Sequence, residues 1–148
     1  MTDVLTPSQR SFNMSRIRSR WTRQERELHA HLKARKIRHR MHPVIPGKPD
    51  ALLLPDVAVF LHGCFWHGCR RCYVPPKTRE EYWLPKIEGN RRRDRRNARA
   101  ARRAGFRVLQ VWEHDLVRGY RPMIENALSL LADAPRQPVR AASSRRRY

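Results

Sequence analysis

The chain has 148 residues, 33 Lys and Arg against 13 Asp and Glu, and a formal net charge of +20. A hydrophobic content of 40% supports one domain with a real core. The longest apolar stretch, Ala51 to Leu61, is interrupted by Pro55 and Asp56 and is too short to span a bilayer, which points away from an integral membrane protein. Nothing near the start reads as a signal peptide, so secretion is not expected and a cytoplasmic setting is.

Residues 1–21 read as a polar, basic arm without strong periodicity, followed by one folded domain over 22–133. Thr22-Arg23-Gln24-Glu25 fits a capping box, and Leu28 and Leu32 give a modest stripe, so a helix is expected to about Lys36. Arg38 to His42 reads as a short strand, and Pro43, Pro46, Gly47 and Pro49 form a breaker-rich loop. Asp50 to Leu54 and Val57 to Leu61 read as a hairpin around the Pro55-Asp56 turn. Thr78 to Lys86 is mixed and aromatic. A helix is expected from Pro85 to Ala104, with Gly105 as its stop, although eight of the residues from Arg91 to Arg103 are Arg. Arg107 to Trp112 alternates as a strand, and Pro122 suits the first turn of a last helix with Met123, Ile124, Ala127, Leu128 and Leu131 as its apolar face. Residues 134–148 read as an Arg-rich, disordered tail. This order predicts an α/β sandwich around a mixed sheet.

A charge of +20 on a small domain is the electrostatic footprint of a nucleic-acid partner. Only five of the basic residues are Lys, and Arg suits bidentate phosphate and base contacts. The three cysteines, Cys64, Cys69 and Cys72, lie within nine positions. That argues against a disulfide scaffold and for a reduced metal site. Three thiolates need one further ligand for tetrahedral zinc, and His62, His67 and His114 are the candidates.

Cutting a phosphodiester calls for carboxylates that hold Mg²⁺. Asp50 opens a strand beside the loop carrying His62 and His67, although a turn role would also explain it. Glu25 is accounted for by the capping box, Glu113 could face either way, and Asp56 belongs to the turn. His67 sits on a metal-fixed loop, as a general base or as a zinc ligand. Phe65, Trp66 and Trp83 have charged or ligating neighbours and suit base stacking or a duplex wedge, or packing. Trp112 ends an apolar strand and reads as core.

Several blocks together resemble the very short patch repair (Vsr) DNA mismatch endonucleases. They are Gly47-Lys48-Pro49-Asp50, Val59 to His67, Thr78 to Ile87, Asn90, Arg93 to Arg96 and Val108 to Glu113, with Arg10-Ser11 and Asn13-Met14 similar to that family's N-terminal arm. The resemblance covers about residues 10 to 118. It implies a restriction-endonuclease-like three-layer sandwich with a mixed central sheet and a structural zinc site. It implies Mg²⁺-dependent nicking of double-stranded DNA, 5′ to the T of a T:G mismatch left by deamination of 5-methylcytosine. On that likeness Asp50 is the central Mg²⁺ ligand, joined by the backbone carbonyl of Leu61, and His67 is the general base. Glu25 and His62 assist through water or phosphate. Cys64, Cys69, Cys72 and His114 hold zinc. Phe65, Trp66 and Trp83 form the wedge beside the mismatch, Met14 enters from the opposite groove, and Arg92, Arg95 and Arg96 contact DNA.

A monomer is expected, because an asymmetric mismatch needs no two-fold symmetry, and the resemblance implies a functional link to a cytosine-C5 DNA methyltransferase and a repair polymerase. Three features depart from its pattern. Leu61 stands where Thr is frequent. The zinc loop is one residue longer, with Cys69 and His114 offered where the family has His and Cys. Arg70-Arg71 adds charge. The competing expectations are a related nuclease with another DNA substrate, or a zinc-stabilised DNA-binding module without catalysis.

Overall fold

The structure, a computed structural model, describes residues 4–16, 19–117 and 121–133. Among these residues the elements are α1 (Pro7–Ser15), α2 (Arg23–Ala34), β1 (His39–Met41), β2 (Ala51–Leu53), β3 (Val57–His62), α3 (Glu80–Arg103), β4 (Arg107–Trp112), α4 (Glu113–Val117) and α5 (Arg121–Ala132). The strands form one mixed sheet in the order β1-β2-β3-β4. β1 to β3 pair antiparallel. β3 and β4 pair parallel, with Val57 opposite Arg107 and His62 opposite Trp112, and α3 lies in the crossover between them, as a parallel pair requires.

Alternation along the strands separates two cores. Ala51, Leu53, Val57, Val59 and Val111 pack with Leu28 and Leu32 of α2 and with Met123, Ile124 and Ala127 of α5. Leu52, Ala58 and Phe60 pack with Ala101 of α3 and with Phe106. Helix α3 stays in place despite its Arg density because Ile87, Ala98 and Ala101 turn one narrow face inward. The loop before β2 lies close to it: Gly47 has φ +86°, and a side chain there would press on the Asn97 carbonyl. Among the described residues no helix is long and apolar enough to cross a membrane.

The element order agrees with the sequence reading, with four local differences. Within the stretch read as an aperiodic arm, α1 forms on a capping box in which Thr6 accepts from the Gln9 N–H and the Gln9 side chain accepts from the Thr6 N–H. Pro7 suits the opening of that helix. It has no buried residue, so no apolar stripe marks it. β2 is shorter than expected and leaves Asp50 just outside the strand. α3 starts at Glu80 and carries Pro85 inside it. Pro85, the sixth residue of the helix, leaves the Glu81 carbonyl without its intrahelical N–H, while ring contacts of Tyr82 and Trp83 hold the first turn. α4 was not anticipated; Asp115 accepts the Trp112 N–H at its start. The expected tail, 134–148, lies outside the described residues.

Asp56 does more than turn the hairpin. It is 2% exposed and takes a two-pronged grip from Arg107, Nε to Oδ2 at 2.9 Å and Nη2 to Oδ1 at 2.5 Å. Arg107 also donates to the carbonyls of Leu130 and Asp133. One buried ion pair therefore ties the hairpin, β4 and the end of α5 together.

Candidate active site and metal centre

Three thiols and one imidazole converge beyond the ends of β3 and β4. Nδ1 of His114 lies 3.3 Å from Cys64 Sγ, 3.5 Å from Cys69 Sγ and 3.4 Å from Cys72 Sγ. All four donor atoms lie within 4.8 Å of one another. Tetrahedral zinc bonds of about 2.3 Å to S and about 2.0 Å to N imply S to N edges of about 3.5 Å, so the group fits a structural metal. Nε2 of His114 sits 3.4 Å from Asp115 Oδ1, the usual carboxylate support behind a ligating imidazole. Burial, opposed by the His114 contact and reinforced by the neighbouring thiols, pushes the Cys64 thiol up to about 12. His114 closes the set because the parallel register brings Trp112 beside His62, delivering α4 to the cysteine loop. The local chain is pinned as well: Cys64 N–H donates to Glu113 Oε2 at 2.9 Å, so Glu113 faces the loop.

A cleft beside this loop is lined by Glu25, Asp50, Leu61, Phe65, Trp66 and His67, among others. Asp50 Oδ2 accepts the Leu61 N–H at 2.7 Å. Burial, reinforced by the charge of Glu25 and opposed by the Leu61 N–H, raises the Asp50 carboxyl to about 6. Two carboxylates turned toward one cleft suit a hard divalent cation. Leu61 meets Asp50 through its backbone while its side chain packs against the first core, so the residue type at position 61 answers to the core. Glu25 is buried and its Oε2 accepts from Thr22 N–H at 3.1 Å and His42 Nε2 at 2.8 Å. Capping alone does not explain that second contact.

His67 Nδ1 lies 2.5 Å from Asp94 Oδ2, a contact absent from the sequence reading. His67 is therefore oriented by a carboxylate and stands apart from the Cys and His114 cluster. Asp94 is the one acid within the Arg91 to Arg103 run, and that isolation was the available signal. His42 was missed too; nothing in its local sequence distinguishes it from a loop residue. His62 ends β3 and is 4% exposed. Burial, helped by the charge of His67 and opposed by Asp94, lowers it to about 4.

Phe65, Trp66 and Trp83 form a ring cluster with centroids 5.4 to 5.7 Å apart. Lys86 Nζ sits over Trp66 and Trp83 at 5.6 and 5.7 Å. Each of the three aromatics stays partly exposed, so they form a surface ridge at the cleft. Asn90 donates to the Trp66 carbonyl at 2.8 Å, fastening the ridge to α3. Trp112, read as core, is partly rather than fully buried and stacks on His114 at 6.4 Å. Arg92, Arg95 and Arg96 are exposed on α3. Met14 lies on α1 and is not among the residues lining the cleft; α1 reaches α3 through Arg10, 5.1 Å from the Tyr82 ring centroid.

Comparison with known proteins gives a consistent set. A family model described as "DNA mismatch endonuclease Vsr" matches residues 2–73. The type II nicking enzyme V.XorIIP of Xanthomonas oryzae pv. oryzae is 43% identical over 121 residues, covering 78% of this chain and 88% of its own length. The type II nicking enzyme V.NmeAIP of Neisseria meningitidis is 39% identical over 120 residues, 78% and 85% of the two chains. The DNA mismatch endonuclease Vsr of Escherichia coli is 39% identical over 133 residues, 87% and 84% of the two chains.

Proposed function

Because the chain belongs to the Vsr family of DNA mismatch endonucleases, we propose that it nicks one strand of double-stranded DNA 5′ to the T of a T:G mismatch, with Mg²⁺ as cofactor. The observation that carries this is the single cleft in which Asp50, Glu25, Leu61 and His67 meet Phe65 and Trp66. It puts hydrolytic groups beside a ridge able to test base stacking. Two relatives are type II nicking enzymes, which supports cutting one strand.

Asp50 and the Leu61 carbonyl, with Glu25 behind them, are the oxygens that would hold Mg²⁺. Bound there, the ion would supply positive charge to the phosphate and acidify a water. His67 takes the proton of the attacking water at Nε2, since Nδ1 faces Asp94. Asp94 fixes the ring and supports the charge it gains. The water oxygen bonds to phosphorus and the bond to the 3′ oxygen breaks, leaving a 3′-hydroxyl and a 5′-phosphate. His62, kept neutral by burial, and Glu25 orient water or phosphate. Phe65, Trp66 and Trp83 wedge into the duplex, where a wobble pair unstacks at lower cost than a matched one. Met14 reaches the opposite groove, and Arg92, Arg95 and Arg96 hold phosphates.

The metal at Cys64, Cys69, Cys72 and His114 is zinc on this reading. Residues 1–21 act as a DNA-contacting arm on the endonuclease domain 22–133. The cores on both sheet faces support a three-layer restriction-endonuclease-like arrangement. An asymmetric mismatch needs no two-fold partner, which supports a monomer. A cytosine-C5 methyltransferase would create the lesion's precursor, and a repair polymerase would use the nick.

The test is a strand-resolved nicking assay on end-labelled duplexes with one T:G pair or its matched control, with and without Mg²⁺. A single Mg²⁺-dependent nick beside the T is expected, absent from the control and from Asp50→Ala. That variant should still bind the mismatch. Full activity in Asp50→Ala would refute the assignment.

A further inference from the structure

Behind His67, on the side of Asp94, lies a second cavity of about 470 Å³. Its wall includes Arg70, Arg71, Arg91, Arg95, Gln110, His62 and Asp94; it meets the cleft around Asp50 only at His67, which lines both. One of these guanidiniums, that of Arg91, is bonded to the loop, and Arg95 Nη2 lies 3.3 Å from Glu88 Oε1. Arg91 donates from Nη2 to the Gly68 carbonyl at 2.5 Å and from Nε to the His67 carbonyl at 3.4 Å. Gly68, at φ +58°, leaves the space that guanidinium occupies, because a Cβ would stand 2.6 Å from its Nε. Arg70 and Arg71 are exposed, and no ion pair engages either side chain among the described residues. At the buried end, His62 Nδ1 has no hydrogen-bond partner, and Asp94 Oδ2 is 3.8 Å away. A buried polar nitrogen without a partner is costly and marks a place for a ligand atom.

We infer that this cavity is a binding site for a terminal phosphate dianion, held by Arg70, Arg71, Arg91 and Arg95 at the mouth and reaching His62 Nδ1 at its base. Guanidiniums match phosphate oxygens in pairs. The nearby Asp94 carboxylate is already engaged by His67. His62, His67 and Asp94 also have ligand spacing for a cation, but the four arginines in the same wall oppose a second positive charge. A terminal phosphate enters such a pocket, whereas a backbone phosphodiester requires the strand to pass in and out. The source is free inorganic phosphate or the 5′-phosphate of a nicked strand; the latter rests on the nicking activity proposed above, the former does not.

Inorganic phosphate is titrated into the zinc-loaded protein without Mg²⁺ at constant ionic strength, followed by calorimetry. One saturable site is expected. Arg70→Gln/Arg71→Gln should weaken it by about tenfold or more, since charge-assisted contacts are lost. Gln110→Glu, at an exposed strand position, should abolish it by repulsion. Arg99→Gln/Arg102→Gln removes the same charge from exposed positions outside the wall and should leave it unchanged. Zinc content checks the fold of each variant. Equal weakening by both Arg pairs, no saturable binding, or uptake of a second zinc ion in place of phosphate would overturn the inference. A second arm compares a nicked duplex carrying a 5′-phosphate with one carrying a 5′-hydroxyl. Tighter binding of the phosphate, lost in Arg70→Gln/Arg71→Gln, assigns the strand end as occupant. Equal binding beside an intact phosphate isotherm supports the site with the free anion as its ligand.

Discussion

Asp50→Asn removes one negative charge while keeping the side chain's shape and an oxygen for the Leu61 N–H. In the folded chain the Asp50 carboxyl titrates at about 6 against a reference of 3.8, mainly through burial. A raised carboxyl favours the folded state while protonated, and that advantage is lost as pH rises through the folded value. One pKa unit corresponds to about 1.4 kcal/mol, so ionised Asp50 costs the metal-free fold about 3 kcal/mol at pH 8, falling to about 1.5 kcal/mol at pH 5. The Asn variant should therefore be the more stable protein, by about 6 to 12 °C in Tm at pH 8 for a chain of this size, with a smaller gap at pH 5. Added Mg²⁺ should raise the wild-type Tm and narrow the gap, and should leave the variant unmoved, because only the wild type binds the ion there. Nicking should be abolished. The assay is thermal and urea unfolding of both proteins from pH 5 to 8, with zinc content held equal. An Asn variant no more stable than wild type at pH 8 would refute the view of Asp50 as an uncompensated buried charge awaiting a cation.

Asp94→Asn should lower kcat by roughly 10²- to 10³-fold, the range of a mispositioned general base, with mismatch affinity within about twofold by gel shift; an unchanged kcat would remove Asp94 from the mechanism. Arg107→Ala leaves Asp56 buried without its partner and should destabilise by about 3 to 5 kcal/mol, read from urea midpoints. Stripping zinc with a strong chelator should lower Tm and open the Cys64 to Cys72 loop to proteolysis, since the binding energy of such a site is folding energy. An intact loop in a zinc-free protein would count against a structural role. Leu61→Thr should keep Mg²⁺-dependent nicking within about threefold, because position 61 faces Asp50 through its backbone, and should lower stability by about 1 to 3 kcal/mol through loss of apolar packing; both are read on the same preparation.

Much of this was legible along the chain because it is local. The strand alternation, the Thr22 capping box, the clustered cysteines and the Gly105 stop depend on neighbours a few residues apart, and those rules hold before any packing exists. The motif blocks pointed to Asp50, His67 and Cys64, the cysteine spacing to Cys69 and Cys72, and the family likeness to Glu25 and His114. The pairings depended on the sheet. The parallel register of β3 and β4 carries His114 to the thiols across 42 to 50 positions. The crossover helix carries Asp94 to His67 across 27. Arg107 finds Asp56 across 51, and His42 finds Glu25 across 17. No periodicity encodes such distances, because they follow from how two faces of one sheet are covered. Composition and local pattern thus determined a basic α/β chain with a thiol-rich loop. Only tertiary packing decided which acid supports which histidine, which carboxylate is buried deeply enough to be raised, and which arginines close a cavity behind the cleft.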